Sequence, residues 1–254
     1  MALIRFGSTN FDAGLVIFDK DGTLIAFDSV WQSIYRAGVD AVAQQVENPE
    51  IVRAELNATL GYDPAEQRFS THGPFATAAN AKIGTVVAAV LYRHAQPPLS
   101  WDEAESLVER TFLAVLATPP DPSLLTTPTH LPTLFGALRA AKIPVAVITS
   151  DERAQTIFTL DVLGVGHLTG LVIASDDPYP KKPAPEPVWA ACAHFGVAVE
   201  KAVMLGDSLT DMRMGRAAGV GLCVAVLTGP GTREQLAPYA DIVLASIGEM
   251  SVAN

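Results

Sequence analysis

Short apolar runs alternate with helical patterns along the second half of the chain. Runs that are almost continuously apolar predict strands buried on both faces, as in a parallel sheet that helices cover on either side. The helical segments between them stop at Gly164, Gly196 and Gly219, and glycine commonly follows the last turn of a helix. The predicted strands span residues 145–149, 171–174, 202–205, 221–226 and 242–244, and the predicted helices span residues 151–163, 185–195 and 208–218.

The first half of the chain departs from this pattern after one further apolar run, residues 15–18. Four helical segments then follow one another with no convincing strand between them, and a Pro-rich stretch, residues 118–132, closes the region. We therefore predict an α/β domain, residues 1–26 and 126–254, into which a helical module of residues 27–125 is inserted. The predicted helices of this module span residues 28–47, 49–60, 78–92 and 100–117.

The composition indicates a folded protein and excludes some classes of partner. The chain has 254 residues, of which 49% are hydrophobic, which is enough for a sizeable core in one or two domains. No apolar run approaches the ~18 residues that a membrane-spanning helix needs. The net charge is −10, and no basic cluster extends beyond Lys181 and Lys182. We therefore expect no nucleic-acid partner, since phosphate backbones require a positive surface, and no membrane partner.

The cysteines and the first residues bear on the location of the protein. Cys192 and Cys223 lie in apolar segments without the spacing of metal ligands, so we expect reduced, buried thiols. The first ten residues lack the apolar stretch and cleavage site of an export signal. These features predict a cytoplasmic protein, and they leave both a monomer and a homodimer open.

Two carboxylates follow the apolar run 15–18, where a buried strand would deliver them to the edge of the sheet. Asp19 and Asp21 are close enough in sequence to repel each other unless a cation or a shared proton neutralises them. Mg²⁺ suits such a place, because it takes carboxylate and carbonyl oxygens and leaves positions for a substrate phosphate. The alternative interpretation is an Asp-rich turn in which Gly22 takes the left-handed conformation.

Further polar residues follow three other predicted strands. Thr149 and Ser150 offer a hydroxyl and backbone N–H groups that can bind phosphate oxygens, although a helix cap is the commoner role of such a pair. Lys182 could neutralise a carboxylate and a phosphate, although most loop lysines are solvated. Asp207 and Asp211 either complement a helix N-terminus or complete a cation site.

In chain order these residues form four motifs: DKDGT at residues 19–23, Thr149, Lys182, and GDSLTD at residues 206–211. The set resembles the haloacid dehalogenase superfamily of aspartate-dependent hydrolases, whose four motifs occur in this order. The helical module fits between the first and second motifs, which is typical of the phosphoglycolate-phosphatase-like and phosphoglucomutase-like branch. The resemblance implies a Rossmann-like, doubly wound parallel sheet with an inserted all-α helical cap domain.

The resemblance also implies a phosphatase that acts on a small phosphorylated metabolite, with a phosphoglycolate-like phosphomonoester as the first substrate to test. Asp19 would be the nucleophile that forms an aspartyl-phosphate, and Asp21 would be the general acid and base. Thr149 and the Ser150 backbone N–H would bind phosphoryl oxygens. Lys182 would offset the negative charge, and it is preferred to its neighbour because the family's lysine directly precedes a proline.

By the same resemblance, Mg²⁺ is the implied cofactor. Its ligands would be Asp19, the backbone carbonyl of Asp21 and Asp207, with Asp211 in support. Substrate selection would fall to the cap. There the loop of residues 68–75 carries Arg68 and His72, which could pair with a carboxylate on the leaving group.

Other activities remain open at this point. Asp21 favours phosphoester hydrolysis over dehalogenation, since a departing halide needs no proton donor. It also argues against a phosphonate hydrolase with a Schiff-base lysine, so we interpret Lys82 as a surface or anion-steering lysine. The alternatives are a sugar-phosphate mutase, a pyrophosphatase, and a non-enzymatic phosphate-binding protein that has kept the fold.

Overall fold

A computed structural model describes residues 3–71 and 73–253 of the chain. The chain divides into two compact units. The first unit comprises Met1–Phe27 and Asp121–Asn254, and the second comprises Asp28–Pro120. Among the described residues, no helix is both long enough and apolar enough to cross a bilayer.

The strands and helices are numbered along the chain. The strands are β1 (Leu3–Phe6), β2 (Thr9–Asp12), β3 (Leu15–Phe18), β4 (Tyr62–Asp63), β5 (Arg68–Phe69), β6 (Val145–Ile148), β7 (Leu171–Ile173), β8 (Ala202–Gly206), β9 (Leu222–Val226), β10 (Ile242–Leu244) and β11 (Met250–Val252). The α-helices are α1 (Phe27–Ala43), α2 (Pro49–Leu60), α3 (Pro74–Thr77), α4 (Asn80–His94), α5 (Trp101–Val108), α6 (Ala114–Ala117), α7 (Leu131–Ala140), α8 (Arg153–Val162), α9 (Glu186–Phe195), α10 (Leu209–Ala218) and α11 (Arg233–Leu236).

The described part of the first unit is built on a six-stranded sheet in the order β10-β9-β8-β3-β6-β7, and every neighbouring pair is parallel. The chain passes outward from β3 through β6 to β7, then returns to the other side of β3 with β8. In open parallel sheets, ligands bind beyond the carboxyl ends of the strands, at the point where the strand order reverses. The predicted doubly wound α/β fold is confirmed, and β3 lies at this reversal point.

Both faces of the sheet are buried, because successive side chains of each strand point to opposite sides. On β3, Val16 and Phe18 join a core cluster that includes Phe135 of α7. Leu15 and Ile17 join the cluster on the opposite face, which α9 and α10 cover. A strand buried on both faces has no polar alternation, which explains why these strands appear in the sequence as continuous apolar runs.

The first unit also contains a second sheet and the helix α7, which the sequence pattern did not predict. The described strands β1, β2 and β11 form an antiparallel sheet in the order β11-β1-β2. On its inner face, Ile4, Phe6 and Met250 pack into the cluster that contains Phe135. The sheet therefore enlarges the core on one side of the parallel sheet.

The second unit is largely helical, but the prediction that it contains no strand is wrong. A two-stranded antiparallel ribbon, β4 with β5, follows α2 and pairs Tyr62 with Phe69. Both aromatic side chains are buried, and both rings lie beside Tyr35, with ring centroids 4.8 Å and 5.2 Å from it. Strands of two residues are too short to show alternating apolar and polar positions, so the sequence pattern did not reveal them. The contacts among the aromatic rings stabilise the ribbon.

The stacked rings of Phe18 and Phe135 give a test of the core. Their centroids lie 5.2 Å apart, and both side chains are fully buried. Phe135→Ala should lower the free energy of unfolding by about 3–5 kcal/mol, because it leaves a cavity between the sheet and α7. Urea denaturation followed by circular dichroism measures the loss. Val162→Ala, which truncates a side chain that is 41% exposed, is the matched control and should change stability by about 0.5 kcal/mol or less.

Candidate active site

The nucleophile candidate Asp19 directly follows β3, and both its backbone and its side chain are held by hydrogen bonds. Its backbone N–H donates to the carbonyl of Leu205 at 2.9 Å, which continues the pairing of β3 with β8 by one residue. The residue is 7% exposed, and its side-chain Oδ1 accepts a hydrogen bond from Lys182 Nζ at 2.6 Å. The carboxylate is thus fixed at the carboxyl edge of the central strands.

Lys182 bridges two carboxylates that lie far apart in the chain. Its Nζ lies 2.6 Å from Asp19 Oδ1 and 2.6 Å from Asp211 Oδ1, and its side chain is 5% exposed. Burial lowers the pKa of Lys182, but the two carboxylates outweigh burial and the net shift is upward. The lysine therefore stays charged, whereas its neighbour Lys181 is exposed.

Asp211 belongs both to this ion pair and to the start of α10. Its Oδ2 accepts hydrogen bonds from the Ser208 hydroxyl at 2.5 Å and from the Ser208 backbone N–H at 3.2 Å. The Ser208 hydroxyl in turn accepts from the Asp211 N–H, which completes a capping box. Asp211 thus has a structural role at the helix start, and its other oxygen orients Lys182.

Asp207 is the third buried acid at this edge of the sheet. It is 3% exposed, and no ion pair joins it to a basic side chain in the described part of the chain. Two glycines make room for it: a Cβ added to Gly22 or to Gly229 would overlap its carboxylate, and Gly22 also has a φ of +81°. Burial raises the pKa of Asp207 well above its ordinary value, and the nearby Asp19 and Asp211 raise it further.

These acids form a group with the character of a hard-cation site. One carboxylate oxygen from each of Asp19, Asp207 and Asp211 lies within 4.8 Å of the others. Burial raises the pKa of Asp19 to about 7, even though Lys182 opposes the shift. Among the described residues, three buried carboxylates share the one ammonium of Lys182, which leaves an excess of negative charge. An all-oxygen donor set of this charge fits Mg²⁺, which would favour the ionised form of each acid.

Thr149 and Ser150 follow β6, the strand that pairs with β3 on its other side. Thr149 is 5% exposed, and its hydroxyl accepts a hydrogen bond from the Asp151 backbone N–H at 3.1 Å. The Thr149 N–H donates to the carbonyl of Ile173, so the turn is anchored to β7, and Ser150 is exposed. The turn therefore lies at the same edge of the sheet as Asp19.

Lys20, which none of the sequence motifs gave a role, connects two of the strand ends. Its Nζ lies 2.7 Å from Asp21 Oδ2 and 2.9 Å from Asp151 Oδ2, and it is 3% exposed. Burial lowers the pKa of Lys20, but the carboxylates of Asp21 and Asp151 outweigh it and raise the pKa above its usual value. Opposite charges at the ends of two neighbouring strands, Lys20 after β3 and Asp151 after β6, are the signal that could have revealed the pair.

The two residues predicted to recognise the leaving group belong to the second unit. Arg68 lies on β5 and is exposed. His72 lies outside the described residues. The predicted loop is also more regular than expected, because β5 occupies its first two residues and the short helix α3 follows Gly73.

Comparisons by sequence relate the chain to known proteins. The model of the haloacid dehalogenase-like hydrolase family matches residues 14–219. A phosphoglycolate phosphatase from Chromobacterium violaceum is 30% identical over 116 residues, which cover 46% of this chain and 51% of that protein. The chain thus matches about half the length of this relative.

Solved structures share the fold over nearly the whole chain. A predicted phosphoglycolate phosphatase from Haemophilus somnus 129PT has a TM-score of 0.66 at 16% identity and covers 96% of this chain and 97% of its own. A family hydrolase from Deinococcus radiodurans R1, solved with bound phosphate and sodium, has a TM-score of 0.62 at 24% identity and covers 94% of this chain and 93% of its own. The family match spans most of the chain and includes all four motifs, so this protein belongs to the haloacid dehalogenase-like hydrolases.

Proposed function

We propose that this protein is a Mg²⁺-dependent phosphatase that hydrolyses a small phosphorylated metabolite through an aspartyl-phosphate. The observation that carries the proposal is the buried group in which Lys182 holds Asp19 and Asp211, with Asp207 beside them. A nucleophile, a fixed positive charge and a cation site at one sheet edge are the parts that phosphoryl transfer requires. The family to which the chain belongs supports the same chemistry.

In this proposal the Mg²⁺ would be held by Asp19, Asp207 and the backbone carbonyl of Asp21, with Asp211 in support. When bound, the ion supplies positive charge that offsets the charge of the phosphate and of the acids around it. The donor set supports this assignment, because it consists of oxygens, is buried, and carries more negative charge than Lys182 alone can balance. The phosphate bound in the Deinococcus radiodurans structure adds support for an anion site in this fold.

In the proposed reaction, an Asp19 oxygen attacks phosphorus and the bond between phosphorus and the leaving oxygen breaks. Asp21 donates its proton to that oxygen as the alcohol departs, and then accepts a proton from the water that hydrolyses the aspartyl-phosphate. Lys182 stabilises the negative charge that gathers on Asp19 and the transferring group. The Thr149 hydroxyl and the Ser150 N–H orient the phosphoryl oxygens.

We further propose that the second unit is the cap that selects the leaving group, and that a phosphoglycolate-like ester is the substrate to test first. The support is the partial match to the Chromobacterium violaceum phosphoglycolate phosphatase and the exposed position of Arg68. A guanidinium is suited to bind the carboxylate of such a substrate.

Phosphate release from a panel of phosphorylated metabolites tests the proposal, with kcat/KM measured in Mg²⁺ and in EDTA. We expect Mg²⁺-dependent release from small phosphomonoesters. If the protein only interconverts sugar phosphates, it is a mutase, and if it only cleaves pyrophosphate, it is a pyrophosphatase; either result contradicts the proposal. A protein that binds phosphate without turnover would remove it altogether.

Substitution of the two motif acids tests their roles. Asp19→Asn should abolish turnover, because an amide is not a competent nucleophile toward phosphorus. Asp21→Ala should lower kcat/KM by about 10²–10⁴-fold, the usual contribution of acid–base catalysis. Phosphate release in Mg²⁺ measures both losses, and Asp12→Asn, which removes a partly exposed partner of Lys201, is the control. Near-normal rates in either variant would contradict the assignment.

Asp207→Asn tests the cation site through stability rather than activity. In EDTA the variant should be more stable than the wild type, because the amide removes a buried carboxylate that burial and two acidic neighbours disfavour. We expect its Tm to rise by roughly 3 °C or more, which corresponds to about 1 kcal/mol.

Mg²⁺ should then raise the Tm of the wild type and leave that of Asp207→Asn nearly unchanged. Differential scanning calorimetry measures both shifts. Asp12→Asn is again the control, since a surface ion pair contributes little. An equal response of the wild type and Asp207→Asn to Mg²⁺ would rule out this carboxylate as a ligand.

Arg68→Ala tests the selection of the leaving group. The KM for phosphoglycolate should rise about tenfold or more, since a charge-assisted hydrogen bond is lost, while the KM for phosphoesters without a carboxylate stays the same. Arg93→Ala, on an exposed position of α4, is the control. If Arg68→Ala leaves the whole substrate panel unaffected, Arg68 has no part in recognition.

A further inference from the structure

We propose that Lys20 is a positioning residue, which holds the Asp21 carboxylate in place for proton transfer by tying it to Asp151 at the end of the neighbouring strand. The inference rests on the proposed phosphatase reaction, in which Asp21 is the general acid. It concerns a contact separate from the pair of Asp19 and Lys182, since the two successive side chains, Asp19 and Lys20, bind different partners.

The Lys20 ammonium is held closely by two carboxylates. Lys20 Nζ lies 2.7 Å from both Oδ1 and Oδ2 of Asp21, so the ammonium binds both oxygens of this carboxylate. The same Nζ lies 2.9 Å from Asp151 Oδ2. The side chains of Asp21 and Asp151 are 15% and 14% exposed, and that of Lys20 is 3% exposed. An ammonium held by two carboxylates at this depth has little freedom to exchange partners.

Asp151, at the far end of the link, is fixed in its turn. Asp151 lies in the turn after β6, where its N–H donates to the Thr149 hydroxyl at 3.1 Å and its carbonyl accepts from the Ser175 N–H at 2.7 Å. This turn is the one proposed to bind the phosphoryl oxygens. Lys20 therefore sets the position of Asp21 relative to the place where the phosphate would lie.

The chemical consequence depends on the leaving group. Proton transfer requires the acid to lie within hydrogen-bond distance of the leaving oxygen, and a small displacement reduces the rate sharply. An alkoxide leaves poorly without a proton, whereas p-nitrophenolate is stable enough to leave without one. Loss of the positioning contact should therefore slow the cleavage of alkyl esters more than that of aryl esters. A general loss of structure would slow both alike.

The experiment compares kcat/KM of the full-length protein in Mg²⁺ for phosphoglycolate, or another alkyl phosphomonoester that the wild type hydrolyses, with kcat/KM for p-nitrophenyl phosphate. Each kcat/KM value reports the steps up to the departure of the alcohol. It is therefore independent of the later hydrolysis of the aspartyl-phosphate. Lys20→Met should lower the value for the alkyl ester at least about tenfold more than the value for the aryl ester. Lys201→Met, which removes a half-exposed lysine paired with Asp12, should change neither.

Asp151→Asn provides a second test that keeps both Lys20 and Asp21. It removes the negative charge from one anchor of the ammonium and should lower the alkyl-ester value selectively, by a smaller factor than Lys20→Met. It also decides the case if Lys20→Met does not fold. Equal losses of kcat/KM on both substrates in the folded variants would overturn this inference and leave the proposed function standing. A wild-type protein that releases phosphate from neither ester would overturn the proposed function, and this inference with it.

Discussion

The rest of the site depends on the ion pairs of the buried Lys182 ammonium with Asp19 and Asp211. The ammonium lies 2.6 Å from a carboxylate oxygen of Asp19 and 2.6 Å from one of Asp211, in surroundings where an uncompensated charge would be costly. Without it, the strand end and the helix start would bring acids together with no positive charge between them. Even with it, the site remains short of positive charge, and this deficit makes the edge of the sheet suitable for a cation and a phosphoryl group.

The parallel sheet is what brings such distant residues to one place. Each strand delivers its following residues to the same edge, so Asp19 after β3, Thr149 after β6 and Asp207 after β8 become neighbours despite their separation in sequence. The backbone hydrogen bond from Asp19 to Leu205 shows how closely the strand register controls the position of Asp19. The apolar cores on the two faces of the sheet hold that register in place.

The sequence was most informative where local pattern and tertiary position coincide. Strands buried on both faces are apolar throughout, so the parallel sheet could be predicted, and polar residues at strand ends could be expected to meet. The ribbon of β4 and β5 could not be predicted, because two residues show no periodicity. The link between Lys20 and Asp151 was also missed. Their opposite charges at neighbouring strand ends are visible in the sequence, but the ion pair also depends on the direction in which each side chain turns, which no local pattern records.

The glycines around Asp207 have a consequence for how such a site can change. Any side chain at Gly22 or Gly229 would displace the carboxylate, so substitution at these positions has almost no room to proceed. The Thr228 hydroxyl also donates to the Gly22 carbonyl at 2.6 Å, which ties the segment after β9 to the segment after β3. Divergence toward new substrates would have to begin elsewhere, for example at exposed positions of the helical unit, while this part of the sheet edge keeps its shape.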